Sequence, residues 1–243
     1  MNLYLENRVA LVTGGSRGIG RAVAMRLARA GARTAICARS QSSLDDALSE
    51  MRQISPNVLG IAADISRSSE VEACIRQIKD QWGGVDILIN NAGVYQPAGL
   101  TETTPQMWDA QFDVNLKGAF LMTRAAVPDM IERKTGTIIF ISSMVAVMSL
   151  PDHSCYAACK WGMDGFAGCI GQELVDHGIK VHVIRPGFTD TSIFDSIGGK
   201  PDFDVDWIDP DEIAGAVEFL LRLPRHAQIP ELNYTTTAHR KTY

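Results

Sequence analysis

A tyrosine and a lysine four residues apart, Tyr156 and Lys160, have the residue types and spacing of a proton-transfer site. On a helix, positions i and i+4 share one face, so the lysine ammonium can lie close to the phenol. A free phenol has a pKa of about 10, and a neighbouring cation favours the phenolate and lowers that pKa. Ser143 lies thirteen residues before the tyrosine and could hold a carbonyl oxygen while the phenol delivers or removes a proton. Taken alone, the same spacing is also typical of an ordinary helix surface.

A glycine-rich turn near the N-terminus indicates a second site. Residues 8–13, RVALVT, predict a buried strand, and residues 14–20, GGSRGIG, lead from it into a helical stretch that ends at Gly31. This arrangement points backbone N–H groups and the positive end of a helix at a pyrophosphate, and glycine permits the tight turn. Because it stands at the first strand-to-helix junction, the motif favours dinucleotide binding over a simple turn.

The end of the second predicted strand, residues 34–38, distinguishes between the two nicotinamide cofactors. In NAD-binding proteins an acidic residue at this place bonds the ribose 2′-hydroxyl, whereas an arginine accommodates the 2′-phosphate of NADP. Here the strand is followed by Arg39 and Ser40 with no carboxylate, and Arg17 in the glycine-rich turn adds a second cation. A lone arginine at a strand end is commonly just solvated, but the two together favour NADP.

Two further strand ends carry polar residues. The third predicted strand, residues 57–66, has Asp64 just past its apolar run, where a carboxylate can either cap a turn or bond the adenine amino group. The fourth, residues 85–93, is continuously apolar, which is typical of a strand buried on both faces, and it stops at the small polar sequence 90–93, NNAG. That ending suits the edge of a cofactor or an ordinary turn.

The following elements position the candidate catalytic residues. Asn115 lies within a long helical region, residues 105–131, where asparagine is unfavourable because it competes for backbone hydrogen bonds. It is either a buried side chain bonded to a carbonyl or a kink that holds a water near the lysine. The fifth predicted strand, residues 136–143, brings Ser143 to a strand carboxyl end, where ligands bind in open α/β sheets. A helix over 154–177 carries the tyrosine and the lysine.

The C-terminal part of the chain predicts a sixth strand, a lid, and a last helix and strand. The strand spans residues 180–187, and the irregular segment 192–210 that follows is rich in Gly, Asp and Pro. Irregular segments of this length in a compact domain are usually functional or mobile, so we expect a substrate lid. A helix over 210–222 and a strand over 231–237 follow. No linker or repeat divides residues 1–243, which predicts a single domain.

The overall composition excludes several classes of protein. The 243 residues suffice for one large α/β domain, and 46% hydrophobic residues can bury a sizeable core. A formal net charge of −5 and a pI of about 5.5 argue against binding to nucleic acid or to an acidic membrane. The five cysteines include no CxxC pair, which predicts reduced thiols and neither disulfides nor a metal site. With no signal peptide and no apolar run of about 18 residues, the sequence predicts a soluble cytoplasmic protein.

Taken in order, these motifs resemble the short-chain dehydrogenase/reductase family over residues 6–235. They are Thr13-Gly14-x-x-x-Gly18-Ile19-Gly20, Asp64, Asn90-Asn91-Ala92-Gly93, Asn115, Ser143, Tyr156-x-x-x-Lys160 and Pro186-Gly187-Phe188-Thr189-Asp190-Thr191. The resemblance implies a Rossmann-type, doubly wound α/β fold with seven mostly parallel strands and helices on both faces. It also implies a homodimer or homotetramer that pairs the helices around 105–131 and 154–177. The C-terminal ending is similar to that of an NADP-preferring subgroup acting on small hydroxy acids and clavulanate-type aldehydes.

The resemblance implies a role for each matching residue. Tyr156 would be the general acid in carbonyl reduction and the base in alcohol oxidation, and Ser143 would hold the substrate oxygen. Lys160 would lower the pKa of the tyrosine and bond the nicotinamide ribose, and Asn115 would hold a relay water. The implied NADP(H)-binding residues are Gly14, Ser16, Arg17, Gly18, Ile19, Gly20, Arg39, Asp64, Ile65, Asn91, Ala92, Gly93, Tyr156, Lys160, Pro186, Gly187, Thr189 and Thr191.

These observations predict an NADP(H)-dependent oxidoreductase that transfers a hydride between nicotinamide and a carbonyl or secondary alcohol. The predicted substrate pocket consists of Val94, Tyr95, Met144, Val145, Met148, Leu150, His153, Phe188, Ile193 and Phe194. This lining is largely apolar, with Tyr95 and His153 as polar exceptions, so we expect small to medium, partly apolar substrates. One alternative is a 3-oxoacyl-thioester reductase, although the acidic lid argues against docking of an acyl carrier. Another is a dinucleotide-binding regulator without turnover, which the intact catalytic residues disfavour.

Overall fold

The computed structural model describes residues 3–201 and 205–237. Within these ranges seven strands form one sheet: β1 (Val9–Thr13), β2 (Arg33–Ala38), β3 (Val58–Ala62), β4 (Ile87–Asn90), β5 (Gly136–Ile141), β6 (Ile179–Pro186) and β7 (Glu231–Tyr234). The strand order is β3-β2-β1-β4-β5-β6-β7, and every neighbouring pair is parallel. The predicted doubly wound α/β fold is therefore confirmed.

Helices cover both faces of this sheet. The α-helices are α1 (Gly18–Arg29), α2 (Gln41–Arg52), α3 (Ser68–Trp82), α4 (Pro105–Phe112), α5 (Gly118–Arg133), α6 (Ser154–Leu174) and α7 (Pro210–Leu221). A π-helix, Asp113–Lys117, joins α4 to α5. Short 3-10 helices span Met144–Ala146, Val175–His177 and Ser192–Ile197. None of the described helices is both long enough and apolar enough to cross a membrane.

Alternate side chains of the strands pack into two hydrophobic cores, one on each face of the sheet. Leu11 of β1 belongs to the core formed with α3, α5 and α6, whereas its neighbour Val12 belongs to the core formed with α1, α2 and α7. Successive side chains of a strand point to opposite faces, and a parallel sheet with helices on both sides is buried on both. For this reason the apolar runs in the sequence are continuous instead of alternating.

Three strands end three or four residues earlier than predicted, and their pairing partners explain where they end. β3 stops at Ala62, which lies opposite Ala38 at the end of β2. β4 stops at Asn90, beyond the last residue that pairs with β1. β7 stops at Tyr234, which lies opposite Pro186 at the end of β6. The predicted ranges are therefore in the right places but too long: 57–66, 85–93 and 231–237.

Two predicted helices are less regular than expected. The region 105–131 is interrupted by the π-helix, in the middle of which Asn115 is buried. A π-helix inserts an extra residue into the helical turn and is frequent at functional sites. The helix predicted over 154–177 is α-helical only to Leu174, and its last turn ends at Gly178 in the left-handed conformation.

The predicted lid, residues 192–210, is less irregular than the sequence suggests. It begins with the 3-10 helix Ser192–Ile197, and a parallel bridge joins Thr189 to Ile208 near its end. The ring of Trp207, which no sequence motif marks, contacts the ring of Phe194 edge-on with the centroids 5.2 Å apart. This contact connects the two ends of the lid segment. Two of the acidic residues assigned to the lid, Asp202 and Asp204, lie outside the described residues.

A buried ion pair holds α6 against β6. Arg185 Nε donates to Asp164 Oδ2 at 2.6 Å, and the two side chains are only 7% and 10% exposed. Arg185 also contacts Glu231 at 2.7 Å, but the Glu231 side chain is 59% exposed. Because Asp164 follows Lys160 by one helical turn, this pair fixes the helix that carries the candidate catalytic residues.

Replacing Asp164 by Asn should lower the free energy of unfolding by about 3 kcal/mol, because the buried guanidinium would lose its buried carboxylate. Urea unfolding followed by circular dichroism measures this loss. The control is Lys200→Gln, which breaks an exposed ion pair with Asp190 and should cost less than about 1 kcal/mol. Equal losses in the two variants would contradict the expected importance of the buried pair.

Candidate active site

A cavity of about 510 Å³ opens at the carboxyl ends of the strands, in the crevice where doubly wound sheets bind ligands. It is lined by residues that follow β1 through β6, by the start of α6 and by the lid segment. The cavity brings together the glycine-rich turn, the Tyr–Lys pair and the apolar residues assigned to a substrate pocket. Of the candidate site residues named from the sequence, two do not line it: Gly20 and Asn115.

The glycine-rich turn after β1 lies against the end of β4, and this contact requires glycine. Gly14 has a φ of +64°, and a Cβ there would lie 2.9 Å from Ala92 Cα. A Cβ on Gly20 would overlap the Asn91 side chain, so Gly20 permits close packing instead of lining the cavity. With Gly18 at the start of α1, the turn leaves space for a diphosphate against a helix N-terminus.

Side-chain hydrogen bonds join the exits of β1 and β4. Thr13 Oγ1 accepts from the N–H groups of Asn91 and Ala92 at 2.9 and 3.0 Å. Asn91 Nδ2 donates to the carbonyl of Thr13 at 2.9 Å and to that of Gly14 at 3.3 Å. The Asn91 carboxamide, which the resemblance places on the adenosine side of a cofactor, is thus used to hold the turn.

The end of β2 offers hydrogen-bond donors and positive charge but no carboxylate. Arg17 and Arg39 are exposed and line the cavity, and the Ser40 side chain caps the N-terminus of α2. Ser43, which no sequence motif marks, donates to Ser16 Oγ at 3.2 Å and also lines the cavity. A serine in the first turn of the helix after β2 is the signal that could have revealed it. This set of groups fits a 2′-phosphate.

Asp64 lies in a turn after β3. Its Oδ1 accepts from the Ser66 hydroxyl at 2.7 Å and from the Ser66 N–H at 3.0 Å. These hydrogen bonds lower the pKa of the Asp64 carboxyl below its usual value. The carboxylate therefore caps a turn, which is one of the two interpretations of the sequence. Asp64 and Ile65 also line the cavity, so the adenine contact stays a prediction.

Ser143, Tyr156 and Lys160 meet on the other side of the cavity. Lys160 is buried, and its Nζ donates to the Ile141 carbonyl at 2.9 Å and lies 5.6 Å from the centroid of the Tyr156 ring. Burial lowers the pKa of Lys160 to about 8, and the negative charge of Asp164 opposes that shift. Burial raises the pKa of Tyr156, whereas a hydrogen bond with Ser143 lowers it.

The pKa of Tyr156 is raised in this structure, although the Tyr–Lys spacing favours a lowered one. Burial disfavours the charged form of each group, so the phenol is harder to ionise and the amine is harder to protonate. Burial outweighs any attraction between the ammonium and the phenolate, so the lowering of the Tyr156 pKa that the resemblance assigns to Lys160 stays a prediction. At neutral pH the phenol therefore keeps its proton, which suits a general acid.

Asn115 positions the chain that leaves β4. Its Oδ1 accepts from the Val94 N–H at 2.8 Å, and its Nδ2 donates to the Val94 carbonyl at 2.9 Å. A Cβ on Gly93 would lie 3.0 Å from the same Oδ1. The side chain is thus a buried asparagine satisfied by the main chain, placed inside the π-helical interruption. The relay water that the resemblance assigns to Asn115 stays a prediction.

The substrate side of the cavity is mainly apolar. Its apolar members are Val94, Met144, Val145, Met148, Leu150, Phe188, Ile193 and Phe194. Tyr95 and His153 also line it, and the Tyr95 hydroxyl lies 2.7 Å from His153 Nε2. The Phe194 ring contacts the Tyr95 ring with the centroids 5.8 Å apart, and Ser196 Oγ donates to the Tyr95 carbonyl at 2.9 Å. The lid segment is therefore anchored on Tyr95.

The last segment of the lining follows β6. Pro186, Gly187, Thr189 and Thr191 all line the cavity, and the Thr189 hydroxyl donates to the Gly187 carbonyl at 3.1 Å. In the described part of the chain, no group of three or more His, Cys, Asp or Glu side chains could hold a metal ion. All five cysteines are free thiols.

Comparison with known proteins gives the family. The family model described as short chain dehydrogenase matches residues 8–201. The chain belongs to the short-chain dehydrogenase family. A 3-oxoacyl-[acyl-carrier-protein] reductase from a Synechocystis species is 33% identical over 230 residues, which cover 93% of each chain. The resemblance that the sequence motifs predict is confirmed.

Solved structures of short-chain dehydrogenases share the whole fold. An alcohol dehydrogenase from the archaeon Thermococcus sibiricus, complexed with 5-hydroxy-NADP, has a TM-score of 0.86 and 30% identity, covering 95% of this chain and 97% of its own. A metagenomic short-chain oxidoreductase in complex with NADP has a TM-score of 0.84 and 33% identity, and the match covers 96% of this chain and 100% of the other. The similarity thus includes both the glycine-rich turn and the segment that bears the tyrosine and the lysine.

The burial of Lys160 predicts how the free energy of unfolding depends on pH. In the unfolded chain Lys160 takes up a proton near its ordinary pKa of 10.5, but in the folded protein only near a pKa of about 8. Lowering the pH from 10.5 to 8 therefore favours the unfolded chain, and the effect is complete below pH 8. The difference corresponds to about 3 kcal/mol.

A Lys160→Met variant removes this titration. Its free energy of unfolding, relative to that of the unmodified protein, should rise as the pH falls from 10 to 8 and then stay constant. Urea unfolding at several pH values measures the difference, and Lys117→Met, at a side chain 52% exposed, is the control for loss of a lysine. A pH-independent difference for Lys160→Met would show that the lysine does not carry the expected burial penalty.

Proposed function

We propose that this chain is an NADP(H)-dependent oxidoreductase that transfers a hydride between nicotinamide and a carbonyl or secondary alcohol of a small to medium, partly apolar substrate. The observation that carries the proposal is the convergence of Ser143, Tyr156 and Lys160 on the same cavity as the glycine-rich turn. Membership of the short-chain dehydrogenase family supports it, because the family model includes all of these positions. Residues 1–243 would act as one domain with the lid at 192–210.

NADP(H) is the cofactor, and the residues at the cavity fit it. The turn at Gly14 and the N-terminus of α1 would hold the diphosphate. Arg17, Arg39 and the first turn of α2 would hold the 2′-phosphate, and residues 39–44, which directly follow β2, include no carboxylate to repel it. Two structures of the family that share the fold contain NADP or 5-hydroxy-NADP.

The proposed mechanism assigns proton transfer to Tyr156. When bound, NADPH supplies the hydride for carbonyl reduction, and NADP⁺ accepts it in alcohol oxidation. Ser143 would donate a hydrogen bond to the substrate carbonyl oxygen, and Tyr156 would pass its phenolic proton to that oxygen as charge develops on it. Lys160 would bond the nicotinamide ribose and stabilise the phenolate once the proton has left. The apolar lining would exclude water from the reacting atoms.

Reduction of a 3-oxoacyl thioester is the alternative within the same chemistry. The 33% identical Synechocystis relative carries that name. The described lid residues include Asp195, Asp206 and Asp209, and an acidic lid disfavours docking of an acyl carrier. Comparing kcat/KM for acetoacetyl-CoA, acetoacetyl-acyl-carrier protein and simple ketones would decide between the two: a large preference for the carrier-bound substrate would favour the alternative.

We also propose a cytoplasmic homodimer or homotetramer. Large apolar side chains on the helices expected to pair between subunits are exposed: Trp108 of α4, Phe120 of α5 and Trp161 of α6, at 42%, 40% and 55%. Pairing of these helices would cover them. The absence of disulfides among the five cysteines fits a reducing compartment.

Replacing Tyr156 by Phe should lower kcat for NADPH-dependent ketone reduction by about 10³-fold, because the variant lacks the transferable proton. Binding of NADPH, measured by its fluorescence, should persist within about tenfold. Loss of turnover with retained binding would also exclude a regulator that binds the dinucleotide without catalysis. A variant that keeps more than about a tenth of the turnover would contradict the role of Tyr156.

Replacing Arg39 by Ala should weaken NADPH binding by about ten- to hundredfold and leave NADH binding nearly the same, because only NADPH carries the 2′-phosphate. Side-by-side fluorescence titrations measure both affinities. The control is Arg76→Ala, at an exposed arginine of α3 that lies outside the cavity. Equal or tighter binding of NADH by the unmodified protein would show that Arg39 does not contact the 2′-phosphate.

A further inference from the structure

The hydrogen-bonded pair of Tyr95 and His153 is a polar feature on the apolar side of the cavity, and the proton transfer assigned to Tyr156 does not use it. The Tyr95 hydroxyl lies 2.7 Å from His153 Nε2, and His153 Nδ1 lies 2.5 Å from the Pro151 carbonyl. Both residues line the cavity. Burial raises the pKa of Tyr95 to about 12, with a smaller contribution from Asp152, so the phenol is neutral at physiological pH.

The donors and acceptors of this pair follow from the Pro151 carbonyl. A carbonyl oxygen only accepts hydrogen bonds, so Nδ1 of His153 must carry the proton that it shares with Pro151. In the neutral imidazole, Nε2 then carries no proton and offers a lone pair as an acceptor. The Tyr95 hydroxyl must therefore donate to Nε2. The phenol proton is therefore occupied. What the Tyr95 oxygen can offer a substrate is its remaining lone pair, an acceptor.

This acceptor lies beside the reacting centre and is held firmly. The Tyr95 and Tyr156 rings meet edge to face with their centroids 5.1 Å apart, and both residues line the cavity, so a substrate bound there would lie between or beside them. Phe194 packs on the Tyr95 ring, and Ser196 bonds the Tyr95 carbonyl. On the other side, the Ala98 N–H donates to the Asp152 carbonyl at 2.9 Å and fixes the loop that carries His153.

We propose that the Tyr95–His153 pair accepts a hydrogen bond from a hydroxyl group that the substrate carries next to its reacting carbon. The preferred substrates would then be hydroxy ketones and the matching vicinal diols. This inference rests on the proposed oxidoreductase function and specifies its substrate class. A site that bonds a substrate hydroxyl discriminates against the analogue lacking it much more strongly than an apolar pocket discriminates between sizes.

Two pairs of isosteric ketones test the proposal with NADPH as reductant. Hydroxyacetone and butanone differ by a hydroxyl in place of a methyl group. Methoxyacetone and 2-pentanone differ by an ether oxygen, which accepts but cannot donate, in place of a methylene. Two ratios of kcat/KM are compared for the unmodified protein: hydroxyacetone to butanone, and methoxyacetone to 2-pentanone. The first ratio should be more than about ten times the second.

A Tyr95→Phe variant keeps the ring and its packing but removes the acceptor oxygen. Its hydroxyacetone-to-butanone ratio should fall by about tenfold. The control is Tyr234→Phe, which removes a hydroxyl that donates to Glu212 at 2.9 Å away from the cavity and should leave the ratio as it is. An unchanged ratio in Tyr95→Phe would overturn the proposal.

A His153→Ala variant tests the direction of the hydrogen bond. Without Nε2, the Tyr95 proton is released and can be donated to an ether oxygen. The methoxyacetone-to-2-pentanone ratio of kcat/KM should therefore rise by several-fold. The difference between this ratio and the hydroxyacetone-to-butanone ratio should become smaller. If neither ratio changes, the pair does not contact the substrate.

The two proposals can fail separately. If the unmodified protein reduces none of the four ketones, and Tyr156→Phe behaves like it, the proposed function itself fails. If all four ketones are reduced with ratios that the Tyr95 and His153 variants do not alter, the oxidoreductase function stands and the inferred substrate class is wrong.

Discussion

The site depends on the hydrogen bonds that join the segments after β1 and β4 through Thr13 and Asn91, which we call the clamp. The strand order reverses between these two strands, so the chain leaves them in opposite directions and opens a crevice. Thr13 and Asn91 close the floor of that crevice with four hydrogen bonds to the main chain. Gly14 and Gly20 allow the two segments to approach closely enough for those bonds to form. A larger residue at either glycine would separate the strands and displace the cofactor end and the catalytic end together.

From this clamp, a chain of contacts runs to Tyr156, the proposed catalytic tyrosine. The segment after Asn91 is held next at Val94, whose N–H and carbonyl are both bonded by Asn115 from the π-helical interruption. One residue later, Tyr95 places its ring against Tyr156. A regular α-helix over 105–131 would present Asn115 at a different angle, because a π turn rotates the residues on either side of it. The interruption thus serves to aim a buried carboxamide at the main chain of the site.

The sequence predicts the fold and which residues line the cavity, because both depend on local patterns. Apolar runs place the strands, and the glycine-rich turn and the Tyr–Lys spacing mark the residues that line one cavity. What it does not predict arises from partners far apart in the chain. The Arg185–Asp164 pair, the contact of Trp207 with Phe194 and the hydrogen bond of Ser43 to Ser16 are set by tertiary packing. The raised pKa of Tyr156 could not be predicted from the sequence either, because residue spacing indicates proximity to a cation but not how deeply the phenol is buried.

Burial of the Tyr–Lys pair connects the stability of the fold with the proposed chemistry. A lysine with a pKa of about 8 is still mostly protonated at neutral pH, but the protein tolerates its charge only at a free-energy cost. The Ile141 carbonyl and the negative charge of Asp164 offset part of that cost, and the ion pair with Arg185 holds Asp164 in place. The ion pair between α6 and β6 is therefore more than a packing contact. By holding a carboxylate one turn from Lys160, it favours the charged form of the buried ammonium beside the Tyr156 ring.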